Sequence, residues 1–222
     1  MEPMSDAGAA QGRRSRTPSA EVERELVAAA EAVLVRDGPG AVTVRAVAAE
    51  AGIAPMGVYN RLGGKDGLVR ALLIIGFDRL RAAIESAAEA AAPGEMTSPN
   101  PPGKNTDMLS RLRACGLRYR EFALANPHFY AIMFEDAIPH EHDSPEVHAH
   151  AQAAFGALVR MVELAAAAKQ IAAPDPTEIA QQIWSAVHGA IALELKDLVL
   201  TPDPAATYRA FLDTVLRGLA PP

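Results

Sequence analysis

Residues 43–73 read TVRAVAAEAGIAPMGVYNRLGGKDGLVRALL, and this stretch decides the fold. Thr43 is a capping residue, and behind it Val44, Val47, Ala48 and Ala51 share one helical face. Gly52-Ile53-Ala54 makes a tight turn. Pro55 suits the first position of a second short helix, in which Val58 and Leu62 point inward. Gly63-Gly64 ends that helix, and a long one starts near Lys65 and runs to about Ala91. Two short helices joined by a glycine-containing turn are the parts of a helix-turn-helix, whose second helix lies in the DNA major groove. A groove-facing residue must be polar, small or flat, whereas a residue facing the bundle must be apolar. With Val58 and Leu62 inside, Met56, Gly57, Tyr59, Asn60, Arg61 and Lys65 are left for the outer face or its flank.

Outward from this stretch the chain stays helical. On the N-terminal side, Thr17 and Pro18 start a helix carrying Val22, Leu26, Ala30, Val33 and Leu34 on one face, and Asp37-Gly38-Pro39-Gly40 stops it. Residues 1–16 read as a flexible arm ending in the basic cluster Arg13, Arg14 and Arg16, suited to the minor groove. On the C-terminal side, residues 92–105 hold four prolines and read as a linker. Beyond them come a stripe from Met108 to Phe122, a short aromatic helix HFYAIMF after Asn126-Pro127, a stripe from Val147 to Ala165, and closing helices at Ile179–Val199 and Tyr208–Leu219. No strand pair and no fixed-period repeat are legible. The expectation is an all-α chain of about nine helices: an arm (1–16), a three-helix DNA-binding unit (17–64) and a helical ligand-binding and dimerisation bundle (65–222).

Charge divides the same way. The whole chain carries a net charge of −6, yet residues 11–81 hold eleven Lys/Arg against eight Asp/Glu. Residues 82–222 hold ten against seventeen. An acidic protein can thus still face phosphates with its N-terminal third. There is no apolar leader and no uncharged run of membrane-spanning length, so the expected compartment is the cytoplasm. The single cysteine, Cys115, allows no internal disulfide and reads as a buried small hydrophobe.

The quoted stretch resembles the DNA-binding region of the tetracycline-repressor (TetR) family of transcriptional regulators. The shared elements are the Thr43 cap, the Ala51-Gly52-Ile53 turn, Tyr59, and Lys65-Asp66 before Leu68. The resemblance covers residues 17–81, and the remainder fits the family's longer helical half. Trp184, His188 and Gly189 in IWSAVHGAIALEL, with NPHFYAIMF before them, resemble a subgroup with a Trp-x-x-x-His-Gly signature. What the resemblance implies is a homodimer on a palindromic double-stranded operator, released by a small effector, with no enzymatic activity and no cofactor. It also implies DNA-binding roles for Thr43, Arg45, Pro55, Met56, Gly57, Tyr59, Asn60, Arg61 and Lys65. The chain departs from the family pattern at Ala54, where a capping Ser is common, at Gly57, where Thr is common, and at Leu62, where Phe is frequent. Loss of the Ser cap costs the second helix about 1 kcal/mol.

In the C-terminal half the apolar stripes supply a candidate effector site. Met108, Leu112, Cys115, Tyr119 and Phe122 form one wall, Phe129, Met133 and Phe134 a second, and Met161, Trp184 and His188 a third. Methionines and aromatics fit a small apolar or aromatic ligand, with Tyr119 and His188 as polar handles. The alternative is that these side chains fill a solid core. The last two helices are apolar on several faces, which points to a dimer interface at Ile183, Val187, Ala190, Phe211, Val215 and Leu216. His140, His142, His148 and His150 invite a metal reading, but i,i+2 imidazoles diverge, so a solvated acidic loop is expected instead. A helical carrier or enzyme without DNA binding is the rival reading. It leaves the basic arm and the Tyr59-Asn60-Arg61 face without a purpose.

Overall fold

A computed structural model describes residues 19–90, 107–135, 137 and 144–221. The arginines of the N-terminal arm, Thr17, Pro18, the 92–105 linker, His140 and His142 lie outside the described residues. The described residues form α1 (Ser19–Asp37), a one-turn 3-10 helix (Pro39–Ala41), α2 (Val44–Glu50), α3 (Pro55–Leu62) and α4 (Lys65–Ala90). They continue as α5 (Met108–Ala125), α6 (Pro127–Phe134), α7 (Pro145–Ala167), α8 (Pro176–Leu195) and α9 (Pro204–Gly218). Among the described residues the fold is all-α.

Local chemistry sets the helix ends. The Ala46 amide donates to Thr43 Oγ1 at 3.1 Å, so Thr43 caps α2 as its sequence position predicts. The cap position of α3 is Ala54, which makes no side-chain cap bond, and its start rests on Pro55. Gly63 adopts φ 76° and ends α3 in the left-handed region, where a side chain is disfavoured. The closing helices differ from their predicted bounds. Asp175 accepts from the Thr177 and Glu178 amides and starts α8 at Pro176, ahead of Ile179. The same helix stops at Leu195 rather than Val199, because Asp197 turns to φ 55°. Asp203 caps α9 at Pro204, four residues ahead of Tyr208, so the Thr201–Pro204 break is itself a start signal.

Two apolar clusters organise the chain. The first joins Leu26 and Leu34 of α1, Val47 of α2, Val58 and Leu62 of α3, and Leu68 and Leu72 of α4. It also takes in Phe129 and Ile132 of α6 and Ala154 of α7. The second holds the distal part of α4 together with α5, α7, α8 and α9. Helix α4 therefore runs through both, packing on α1 and α3 near its start and on α5 and α7 along its length. Where α5 meets α9, Gly116 leaves room for Leu212, whose Cδ2 lies 2.8 Å from where a Cβ would stand. There Tyr208 Oη donates to the Gly116 carbonyl at 2.8 Å.

Candidate functional site

The helix-turn-helix leaves most of its polar side chains exposed. Val58 and Leu62 of α3 are buried, and Met56, Tyr59, Asn60 and Arg61 are exposed, which is the division expected from their spacing. Arg45 on α2 and Thr43, Pro55 and Lys65 at the helix starts are exposed as well, while Gly57 is half-buried. A Cβ on Gly57 would sit 2.8 Å from Ile53 Cδ1, so the missing side chain lets the turn fold against α3. The Tyr59 ring lies across Gly64, whose φ of 97° and 2.9 Å clearance to Tyr59 Cε1 both disfavour a side chain there. Arg45, Arg61 and Lys65 form no ion pair with an acid among the described residues, so their charge is directed to solvent.

A cavity of about 300 Å³ lies in the second apolar cluster. Helix α4 contributes Phe77, Leu80 and Ile84, and α5 contributes Leu112, Cys115, Gly116 and Tyr119. Met133 and Phe134 come from the end of α6. Ala151, Ala154, Phe155 and Leu158 of α7 and Ile183, Trp184 and Val187 of α8 complete the wall. Of the residues expected at a ligand site, Leu112, Cys115, Tyr119, Met133, Phe134 and Trp184 border this space.

Five others do not border it. Met108, Phe122 and Met161 are buried in the surrounding core. Phe129 belongs to the N-terminal core, 1% exposed, beneath the Arg79 guanidinium 5.3 Å from its ring centre. Phe129 and Met133 lie one helical turn apart and both pack beside Gly76 of α4, but only Met133 reaches the cavity. His188 stands behind the wall, bonded to two tyrosines. Three residues expected at a dimer face are buried within the single chain, and two of them, Ile183 and Val187, 4% and 3% exposed, line the cavity. Leu216 is 6% exposed and likewise internal. Ala190, Phe211 and Val215 remain half-buried. The α4 wall is absent from the sequence expectation, although Phe77, Leu80 and Ile84 recur at helical spacing, and from α7 the sequence offers Met161, whereas Ala151, Ala154, Phe155 and Leu158 line the space.

The polar atoms at the wall partner one another. Trp184 Nε1 donates to Tyr119 Oη at 3.3 Å, and that hydroxyl hydrogen-bonds His188 Nδ1 at 2.9 Å. Tyr130 Oη lies 3.1 Å from the same Nδ1, and it also bonds Tyr119. Burial lowers the His188 pKa below its usual 6.5, favouring the neutral ring. Burial raises the Tyr119 phenol to about 12 and the Cys115 thiol to about 11, so neither ionises near neutrality. Of the remaining histidines, His150 Nδ1 pairs with Asp78 at 2.7 Å, joining α7 to α4, and His148 is exposed. No group of three or more metal-ligating side chains occurs among the described residues.

Face and cavity are mechanically joined. Arg79 of α4 donates from two guanidinium nitrogens to the Glu31 carboxylate of α1, at 2.6 and 2.9 Å. Helix α6 bridges the same gap. Its His128 packs on Gly38 beyond α1, Phe129 and Ile132 enter the N-terminal core, and Met133 and Phe134 reach the cavity.

Comparison with known proteins covers both halves. Residues 26–72 match the family model described as bacterial regulatory proteins, tetR family, and residues 112–215 match the tetracyclin repressor-like C-terminal domain. A solved protein of unknown function from Rhodococcus sp. RHA1 is 28% identical, with a TM-score of 0.75 over 90% of this chain and 96% of that one. The TetR family regulator PfmR from Thermus thermophilus is 20% identical, with a TM-score of 0.57 over 89% of this chain and 100% of that one. A TetR family regulator from Marinobacter aquaeolei is 16% identical, with a TM-score of 0.63 over 91% of this chain and 97% of that one. At these last two identities the likeness speaks for the fold. No curated protein matches the sequence.

Proposed function

Because this chain belongs to the tetR family of bacterial transcriptional regulators, we propose that it is a homodimeric repressor released from a palindromic operator by a small, largely apolar effector. The observation that carries this reading is α4. One helix packs on α1 and α3 at its start and forms a wall of the cavity with Phe77, Leu80 and Ile84. A ligand that shifts that wall also shifts the recognition helix. Two recognition helices must stand about 34–36 Å apart to enter successive major grooves. An effector that prefers the misaligned state lowers operator affinity by the ratio of its affinities for the two states.

In this reading the DNA contacts are Arg45, Pro55, Met56, Gly57, Tyr59, Asn60, Arg61 and Lys65, with Thr43 holding α2 in place. Residues 1–16 are the arm, 17–64 the DNA-binding unit and 65–222 the effector-binding and dimerisation part. The exposed side of α8, with half-exposed Leu193 and the side-chain-free Gly189, supplies the dimer face together with Phe211 and Val215 of α9. No helix among the described residues is long and apolar enough to cross a membrane. The test is selection of genomic fragments by the purified protein, followed by gel shift of the enriched sequences. Enrichment of a palindromic sequence supports the reading, and binding that never exceeds the non-specific level refutes it.

A further inference from the structure

The walls of the cavity specify the effector more narrowly than its apolar character does. Among the described residues, no Asp, Glu, Lys or Arg lines it. Its polar atoms already satisfy one another, since Trp184 donates to Tyr119 and Tyr119 bonds both His188 and Tyr130. An entering ligand thus meets no counter-charge on these walls and no buried polar atom in need of a partner. An ionised group would have to shed its water for nothing in return, which in an apolar site is the dominant penalty.

Shape adds a second constraint. Rings enclose much of the space: Phe134 lies 5.9 Å from Phe77 in an edge-on pair and 6.1 Å from Trp184, and Phe155 stands 6.1 Å from Trp184 on the other side. Such edges and tilted faces receive a further flat ring in the arrangements that aromatic pairs prefer. The volume, near 300 Å³, is twice the apolar cavity of about 150 Å³ that takes up one benzene. A two-ring molecule, roughly twice the size of benzene, matches that space.

We infer that the effector is an uncharged two-ring aromatic or similarly sized ring compound, and that anionic and cationic molecules of the same shape are excluded. This rests on the effector reading above, but ligand class and DNA release are measured separately. The probes share one skeleton: 2-methoxynaphthalene, 2-naphthoate and N,N,N-trimethyl-2-naphthylammonium. Calorimetry gives affinities, and quenching of Trp184, the chain's single tryptophan, reports occupancy of this cavity. The neutral two-ring ether is expected to bind at least 100-fold more tightly than either charged probe. A charged probe binding as tightly as the ether, or no binding by the ether, overturns the inference. A neutral probe that binds and quenches Trp184 but never releases operator DNA keeps the ligand class and overturns the regulatory reading instead.

Discussion

Tyr59 joins packing and recognition in one side chain. One edge of its ring is held over Gly64 while the residue stays 55% exposed, so an accessible side chain rests on a fixed base. Arg45 on α2 is exposed, with no acidic partner among the described residues. Replacing either residue by Ala is expected to leave folding unchanged and to weaken operator binding by about 1–3 kcal/mol, the worth of a good base contact. Fluorescence anisotropy on the selected operator measures this, and unchanged affinity in both variants rejects the docking geometry. At His188 the effect is one of pH. Burial holds its pKa below 6.5, so the unfolded chain takes up a proton before the folded one does. Stability is therefore full above pH 6.5 and falls as the pH drops from there through the lower folded value. Thermal melting at about pH 7.5 and pH 5.5 is expected to show a smaller loss in His188→Gln, which keeps a polar side chain but does not titrate.

At the scale of elements, two junctions govern how the halves communicate. Gly67 in the first turn of α4 lies against the end of α3, where a Cβ would stand 1.4 Å from the Leu62 carbonyl oxygen. That contact is backbone against side chain, and no rotamer relieves it. Gly67→Ala is expected to destabilise the chain by roughly 3 kcal/mol or more, because α3 must leave α4 to make room. Chemical denaturation reads the loss, and a variant within about 0.5 kcal/mol of the native chain rejects the close approach. The second junction is the Arg79–Glu31 pair between α4 and α1. Its side chains are 45% and 27% exposed, so it adds no more than about 1 kcal/mol to stability. Its role in the proposed mechanism is connection. Arg79→Ala is expected to bind effector normally while showing a smaller effector-induced loss of operator affinity, measured by titrating both ligands.

At the scale of the molecule, burial decides which surfaces remain for a second copy. Val187 and Leu216 are internal, so charges placed there would unfold the subunit before they separated a dimer. Leu193 is 50% exposed and Val215 half-buried on the outer sides of α8 and α9. Leu193→Glu with Val215→Glu is expected to give folded monomers by light scattering and circular dichroism. A persistent dimer moves the interface elsewhere.

What the sequence determined by itself was everything set by neighbours along the chain. The Thr43 cap, the Gly52 turn, Pro55 at the head of α3 and the inward Val58 and Leu62 are local rules of helix geometry, and all stand in the structure as read. Asp175 and Asp203 are equally local signals, and they start α8 and α9 ahead of Ile179 and Tyr208. Tertiary structure decided which apolar residues share a space. Periodicity groups Phe129 with Met133 and Ile183 with the outer face of α8, but it does not say what packs on each face. Only the crossing of α4, α5, α7 and α8 sends Phe129 into the N-terminal core, turns Ile183 and Val187 into the cavity, and adds Phe77 and Phe155 to its wall. A helix's sequence states that a face must be buried. Which partner buries it depends on helices that are distant along the chain and meet only when it folds.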